Sequence, residues 1–154
     1  MKRTSDRRAK AAERSATIWT LNVKLVFGIH AEGPWEATIE IDSSATLVDL
    51  HAAIQNAVQF GDDHMYTFYV ARTLHSRDRI ALEDEDGAVR DMTLEEVFPL
   101  PAGRKLIYWF DFGDDWKFSI SRTRTAPQIP VKGRKYPRLI GTRGETPVQY
   151  PPCD

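Results

Sequence analysis

Apolar and polar residues alternate strictly from Thr17, with Trp19, Leu21, Val23, Leu25 and Phe27 on one side and Thr20, Asn22 and Lys24 on the other. Successive strand side chains point to opposite faces, so this pattern predicts a half-buried first strand. Gly28 to Pro34 break it, and Trp35, Ala37, Ile39 and Ile41 against Glu36, Thr38 and Glu40 predict a second. The period then lengthens to about 3.6, because Leu47, Leu50, His51, Ile54, Ala57 and Val58 share one helical stripe. Thr46, with Asp49 three residues on, supplies an N-cap and a first-turn acid, and Gly61 marks the stop. Met65 to Val70 and Arg79 to Leu82 predict two more strands, the second ending at the turn-like run Glu83-Asp84-Glu85-Asp86-Gly87. Thr93-Leu94-Glu95-Glu96 forms a capping box for a short helix that Pro99 ends.

The most informative stretch is a hairpin from Lys105 to about Arg122. Alternation puts Leu106, Tyr108, Phe110 and Phe112 on one face of its first strand, and Trp116, Phe118 and Ile120 on one face of its second. Asp111, Asp114 and Asp115 crowd the turn around Gly113. Trp109 points away from Tyr108 and Phe110, so it either fills a second core layer or marks an exposed binding face.

Together these elements predict an α+β fold, a mixed sheet with one main amphipathic helix packed on a face, β-grasp-like in arrangement. Residues 1–16 have almost no large apolar side chain and predict a disordered basic tail. Residues 17–150 form a single domain, and 151–154 its C-terminal end. Beyond Thr123, six prolines and three glycines without periodicity predict an extended segment that wraps the surface, anchored by Tyr136, Leu139, Ile140 and Tyr150.

At 154 residues and 42% hydrophobic content the chain makes one soluble domain with a real core. It has no apolar run of the roughly 18 residues that span a bilayer and no secretory signal, so no membrane partner and a cytoplasmic location are expected. Cys153 is the sole cysteine, which excludes an internal disulfide and a cysteine zinc site within one chain. The net charge of −1 conceals segregation: residues 1–16 sum to +4, residues 17–116 to −11 and residues 117–154 to +6. Basic ends on an acidic body either reach for nucleic acid phosphates or fold back on the domain. The candidate phosphate contacts are Arg3, Arg7, Arg8, Arg122, Arg124, Arg134, Lys135 and Arg138.

Asp111-Phe112-Gly113 spells the metal-binding tripeptide of protein kinases, but the chain has neither their length nor their other motifs. Asp62, His64, Asp111 and Asp114 offer oxygen and imidazole ligands for a divalent metal if they converge, whereas as turn residues they bond their own backbone. No other cofactor is implied. His51 lies on the apolar stripe, as a histidine bonded to a backbone carbonyl would. No Gly-flanked Ser or Cys elbow and no phosphate-binding Gly-rich loop occurs, so catalysis has no obvious seat.

Four pieces in order resemble the plasmid pRiA4b ORF-3-like family, also labelled insertion-element passenger TnpR-like proteins. They are Pro34-Trp35, the helix from Leu47 to Gln55, the run from Asp62 to Phe68, and the run from Tyr108 to Trp116; Tyr136-Pro137-Arg138 through Gly144 and Pro147 adds a fifth. Glu36 and Phe60-Gly61 depart from the family pattern, and longer members continue past this point with a cysteine-containing segment. The resemblance implies an association with plasmids and mobile elements and no assigned biochemistry. The expectation is a non-enzymatic module binding a protein or nucleic acid partner, with a metal-dependent hydrolase built on the Asp/His cluster as the alternative.

Overall fold

The computed structural model describes residues 16–61, 64–82 and 91–151, so the tail expected over 1–16 lies, but for Ala16, outside the described residues. The expected strands become β1 (Ile18–Phe27), β2 (Glu36–Asp42), β3 (Tyr66–Ala71), β4 (Arg79–Ala81), β5 (Lys105–Phe110) and β6 (Trp116–Arg122), and a seventh, β7 (Arg138–Arg143), joins them. The 3.6-period run becomes helix α1 (Leu47–Val58), and the capping box opens the short helix α2 (Leu94–Val97). One seven-stranded sheet results, in the order β4-β3-β5-β6-β1-β2-β7.

Every pairing in that sheet is antiparallel, where a mixed, grasp-like sheet was expected. A grasp sets its first strand parallel to a later one. Here β1 pairs with β6, and the β5–β6 hairpin fills the middle of the sheet, so each neighbour reverses direction. Strands β2 and β3 run parallel but lie apart, separated by β1, β6 and β5, and α1 connects them. The other unforeseen element is β7. Its residues do run extended, but they pair with β2 as an edge strand, interrupted by a register shift at Thr38/Ile39. Proline-rich flanks hid it, because one six-residue strand among breakers leaves little periodicity to read.

The core lies on one face of the sheet. Leu21, Val23, Ile39, Ile41, Leu106, Tyr108, Phe110, Trp116, Phe118 and Ile120 pack there against Leu47, Leu50, Ile54 and Val58 of α1 and Leu94 of α2. Phe112 does not join this face: the chain has left the strand by then, and the ring is exposed. Thr46 caps α1 as expected, its Oγ1 accepting from Asp49 N–H while the Asp49 carboxylate accepts from Thr46 N–H at 2.9 Å. The helix stops before Gly61, at Gln59, which takes the left-handed conformation at φ 61°. At the end of β2, burial pushes the Asp42 carboxyl up, but hydrogen bonds from Ser44 and Thr17 outweigh it and hold it below the usual carboxylate range. Among the described residues no helix is long and apolar enough to cross a membrane.

Two glycines fix how loops meet the sheet. A Cβ on Gly28 would sit 2.6 Å from the Trp116 ring, and one on Gly144, at φ +86°, only 2.1 Å from the Pro34 carbonyl oxygen. The second contact lets the chain leaving β7 lie directly on the backbone that enters β2.

Candidate functional site

The β5–β6 turn is organised by one of its three carboxylates. Asp111 sits at φ 57°, and its Oδ1 accepts from the backbone N–H of Gly113 and of Asp114, both at 3.2 Å. Its other oxygen, Oδ2, faces His64 Nε2 at 3.3 Å, and the same nitrogen lies 2.6 Å from the Tyr150 hydroxyl. Next to Tyr150, the Gln149 amide closes a two-point clamp on Gly61, accepting from its N–H at 2.7 Å and donating to its carbonyl at 3.1 Å. Gln149 and Tyr150 thus lock the chain's end over the start of β3.

Of the four residues expected to form a metal site, His64 and Asp111 meet, Asp114 turns instead to His30 at 3.5 Å, and Asp62 lies outside the described residues. Asp111 holds the turn in the way a short side chain bonds the backbone two residues on. Among the described residues no group of three or more His, Cys, Asp or Glu is placed to hold a metal ion.

A second polar cluster lies inside the core. His51, buried on α1, does not bond a backbone carbonyl; its Nδ1 lies 2.5 Å from the Tyr108 hydroxyl, which also accepts from Gln55 Nε2 at 2.8 Å. One hydroxyl oxygen thus serves two polar side chains of α1 inside the core. The imidazole stacks on Tyr66 with centroids 3.7 Å apart and planes within 6°. Tyr108→Phe keeps the ring but removes an oxygen shared by two buried polar groups. It is expected to cost about 2 kcal/mol of stability in a urea melt.

Trp109 stands on the opposite face of the sheet, half-buried in a small cluster with Tyr69, Ala71, Ile107 and Leu74. Phe112 packs against it at 4.4 Å between centroids, and the Arg79 guanidinium lies 4.9 Å from the Tyr69 ring and 5.5 Å from that of Trp109. Burial pushes the Tyr69 hydroxyl above its ordinary value, and it donates to Leu74 O at 2.7 Å. Lys117, only 4% exposed, sends its ammonium beneath this cluster to Asp115 at 3.4 Å and His75 at 3.5 Å, over the rings of Trp109 and Phe27. Parity hinted at this lysine, since it shares a face with its neighbour Trp109 across the hairpin.

The basic residues diverge in their fates. Arg138 pairs with buried Glu40 at 2.6 Å, Arg143 lies 3.8 Å from Glu36, and Arg122 sits 3.7 Å from the Trp19 ring centroid. Arg124, Lys132, Arg134 and Lys135 are exposed and have no acidic partner among the described residues. From Lys117 to Gly144 the chain holds eight basic residues and no acidic one. This arm is not loose: Ile18 and Gln128 exchange two backbone hydrogen bonds of 2.9 Å, and Arg134 N–H closes a turn on Val131 O. Arg7 and Arg8 lie outside the described residues, as does Arg3.

The Gln149 clamp, the Tyr150–His64 contact and the Tyr108–His51–Gln55 cluster escaped sequence reading because each joins residues more than 50 positions apart. The tyrosine of the β5 stripe gave the one available hint, since a buried Tyr hydroxyl usually finds a partner.

The family profile described as "Plasmid pRiA4b ORF-3-like protein" matches residues 21–149. The chain is 28% identical over 125 residues to the uncharacterized protein y4hQ of Sinorhizobium fredii, the match covering 78% of this chain and 60% of that protein's length. It is similar in fold to the crystal structure of MM3350, a protein of unknown function from Methanosarcina mazei Go1, with a TM-score of 0.63. That similarity covers 82% of this chain and 69% of the other, at 23% identity.

Proposed function

Because the chain belongs to the plasmid pRiA4b ORF-3-like family, whose relatives above bring no assigned chemistry, we propose that it is a non-enzymatic binding module and that its partner is a nucleic acid. The observation that carries this reading is the basic arm: four exposed cations without acidic partners among the described residues, on a segment tied to the sheet. Cations held at fixed positions and left uncompensated are what a phosphate backbone neutralises, releasing its counterions. Two further cations of this segment are already engaged, Arg122 over the Trp19 ring and Arg138 with Glu40. The reading includes the association with plasmids and mobile elements that the resemblance implied, and a cytoplasmic location where DNA and RNA are at hand.

The test is fluorescence anisotropy with a labelled oligonucleotide at increasing salt. Neutralising about four phosphates gives a log–log slope near −3 for a single strand, so affinity falls about 50-fold between 50 and 200 mM salt. The double reversal Arg134→Glu/Lys135→Glu is expected to weaken binding at least 10-fold and to flatten that slope. A protein partner held at the open edge of β7 would instead give no oligonucleotide binding and capture by pull-down. The hydrolase alternative predicts that a divalent ion raises the melting temperature and that Asp111→Asn abolishes the rise.

A further inference from the structure

At the end of the sheet away from the Asp111 turn, a groove of 400 Å³ lies between the segment after α2 and strand β6. Its floor is apolar, formed by Phe98, Pro99, Leu100 and Ile120, and Lys105 and Arg122 stand on its rim. Among the described residues no acidic one lines it. Arg104, also at the rim, is already held by Asp78, donating to its carbonyl at 3.0 Å and its carboxylate at 3.3 Å. Lys105 and Arg122 have no acidic partner among the described residues. An apolar floor under a cationic rim suits a ligand with a flat apolar body and negative charge at its edge.

The stacking order of the side chains narrows that ligand further. Phe98 meets Trp19 edge to face at 6.1 Å, and the Arg122 guanidinium lies over Trp19 at 3.7 Å. Phe98, largely buried in the core, and Arg122 both line the groove, so a planar group entering it lies on an apolar floor with a guanidinium plane to stack on. The volume is that of a small-ligand pocket, room for a nucleobase with its sugar. A duplex keeps its base faces stacked within itself and gives an apolar floor nothing to bury, whereas an unpaired base exposes both faces.

We infer that this groove receives an unpaired base of a single-stranded nucleic acid, with Lys105 and Arg122 on the flanking phosphates. The inference rests on the nucleic acid reading above and deepens it. Arg124, two residues beyond Arg122, begins the basic arm along the chain.

The test compares a fluorescein-labelled 12-nucleotide oligo(dT) with its duplex on oligo(dA), using the full chain. Wild type is expected to bind the single strand at least 10-fold more tightly than the duplex. Leu100→Asn changes no charge and is expected to weaken oligo(dT) about five-fold while leaving the duplex unaffected. Lys105→Glu, at an exposed site, is expected to weaken oligo(dT) about 10-fold. If both variants bind oligo(dT) like wild type while Arg134→Glu/Lys135→Glu loses it, the groove inference is overturned and the basic-arm reading stands. If wild type binds neither oligonucleotide at 50 mM salt, both fall.

Discussion

Trp116→Ala is expected to destabilise the fold by about 3–5 kcal/mol, the range for removing a fully buried indole. Trp116 packs 4.9 Å from Phe60 and beneath Gly28, joining the central hairpin to the loop after α1. Equilibrium urea unfolding followed by circular dichroism reads the loss directly. The contact with Gly28 adds a sharper forecast. Gly28→Ala alone places a methyl 2.6 Å from the indole and costs about 1–3 kcal/mol, but in the Trp116→Ala background the methyl enters the vacated space and costs almost nothing. Strictly additive losses in that double-mutant cycle would show that Gly28 is constrained by something other than the ring.

The second large effect concerns the carboxylate that organises the turn. Asp111→Ala removes the acceptor for two backbone N–H groups and puts alanine at φ 57°, where a Cβ is disfavoured unless a short polar side chain compensates. The expected cost is about 3 kcal/mol. Asp111→Asn keeps an acceptor oxygen and suits the left-handed region, so it is expected to cost below about 1 kcal/mol, losing chiefly the pairing with His64. The pair of variants therefore separates turn-making from charge. Should Asn prove as damaging as Ala, the negative charge facing His64 contributes as much to the turn as the backbone bonds do.

Much of the architecture was legible beforehand. The inward faces of β2 and β6 came out residue by residue, and that of β5 all but Phe112, with Ala37, Ile39, Ile41, Tyr108, Phe110, Trp116 and Phe118 all buried. So did the stripe of α1 and its Thr46 cap, because these follow from the local geometry of a strand or helix. The candidate sites were legible only as residue types. Asp111 was noticed for its charge, yet its work is done through backbone bonds within its own turn and a histidine 47 positions earlier. Lys117 reads as a surface residue in any hydropathy pattern and is almost wholly buried, because the small cluster around Trp109 closes over that face.

By itself, then, the amino-acid order determined which segments before Thr123 are strands and helices, which side of most of them is apolar, and that the arm after Lys117 carries only positive charge until Gly144. The tertiary structure decided that every strand pairs antiparallel, that β7 closes one edge, and that Phe98, Arg122 and Lys105 share a groove. The reason is physical. Periodicity records only the geometry of a few neighbouring peptide units, whereas strand order and side-chain meetings are selected by which packing buries the apolar faces of all the elements at once.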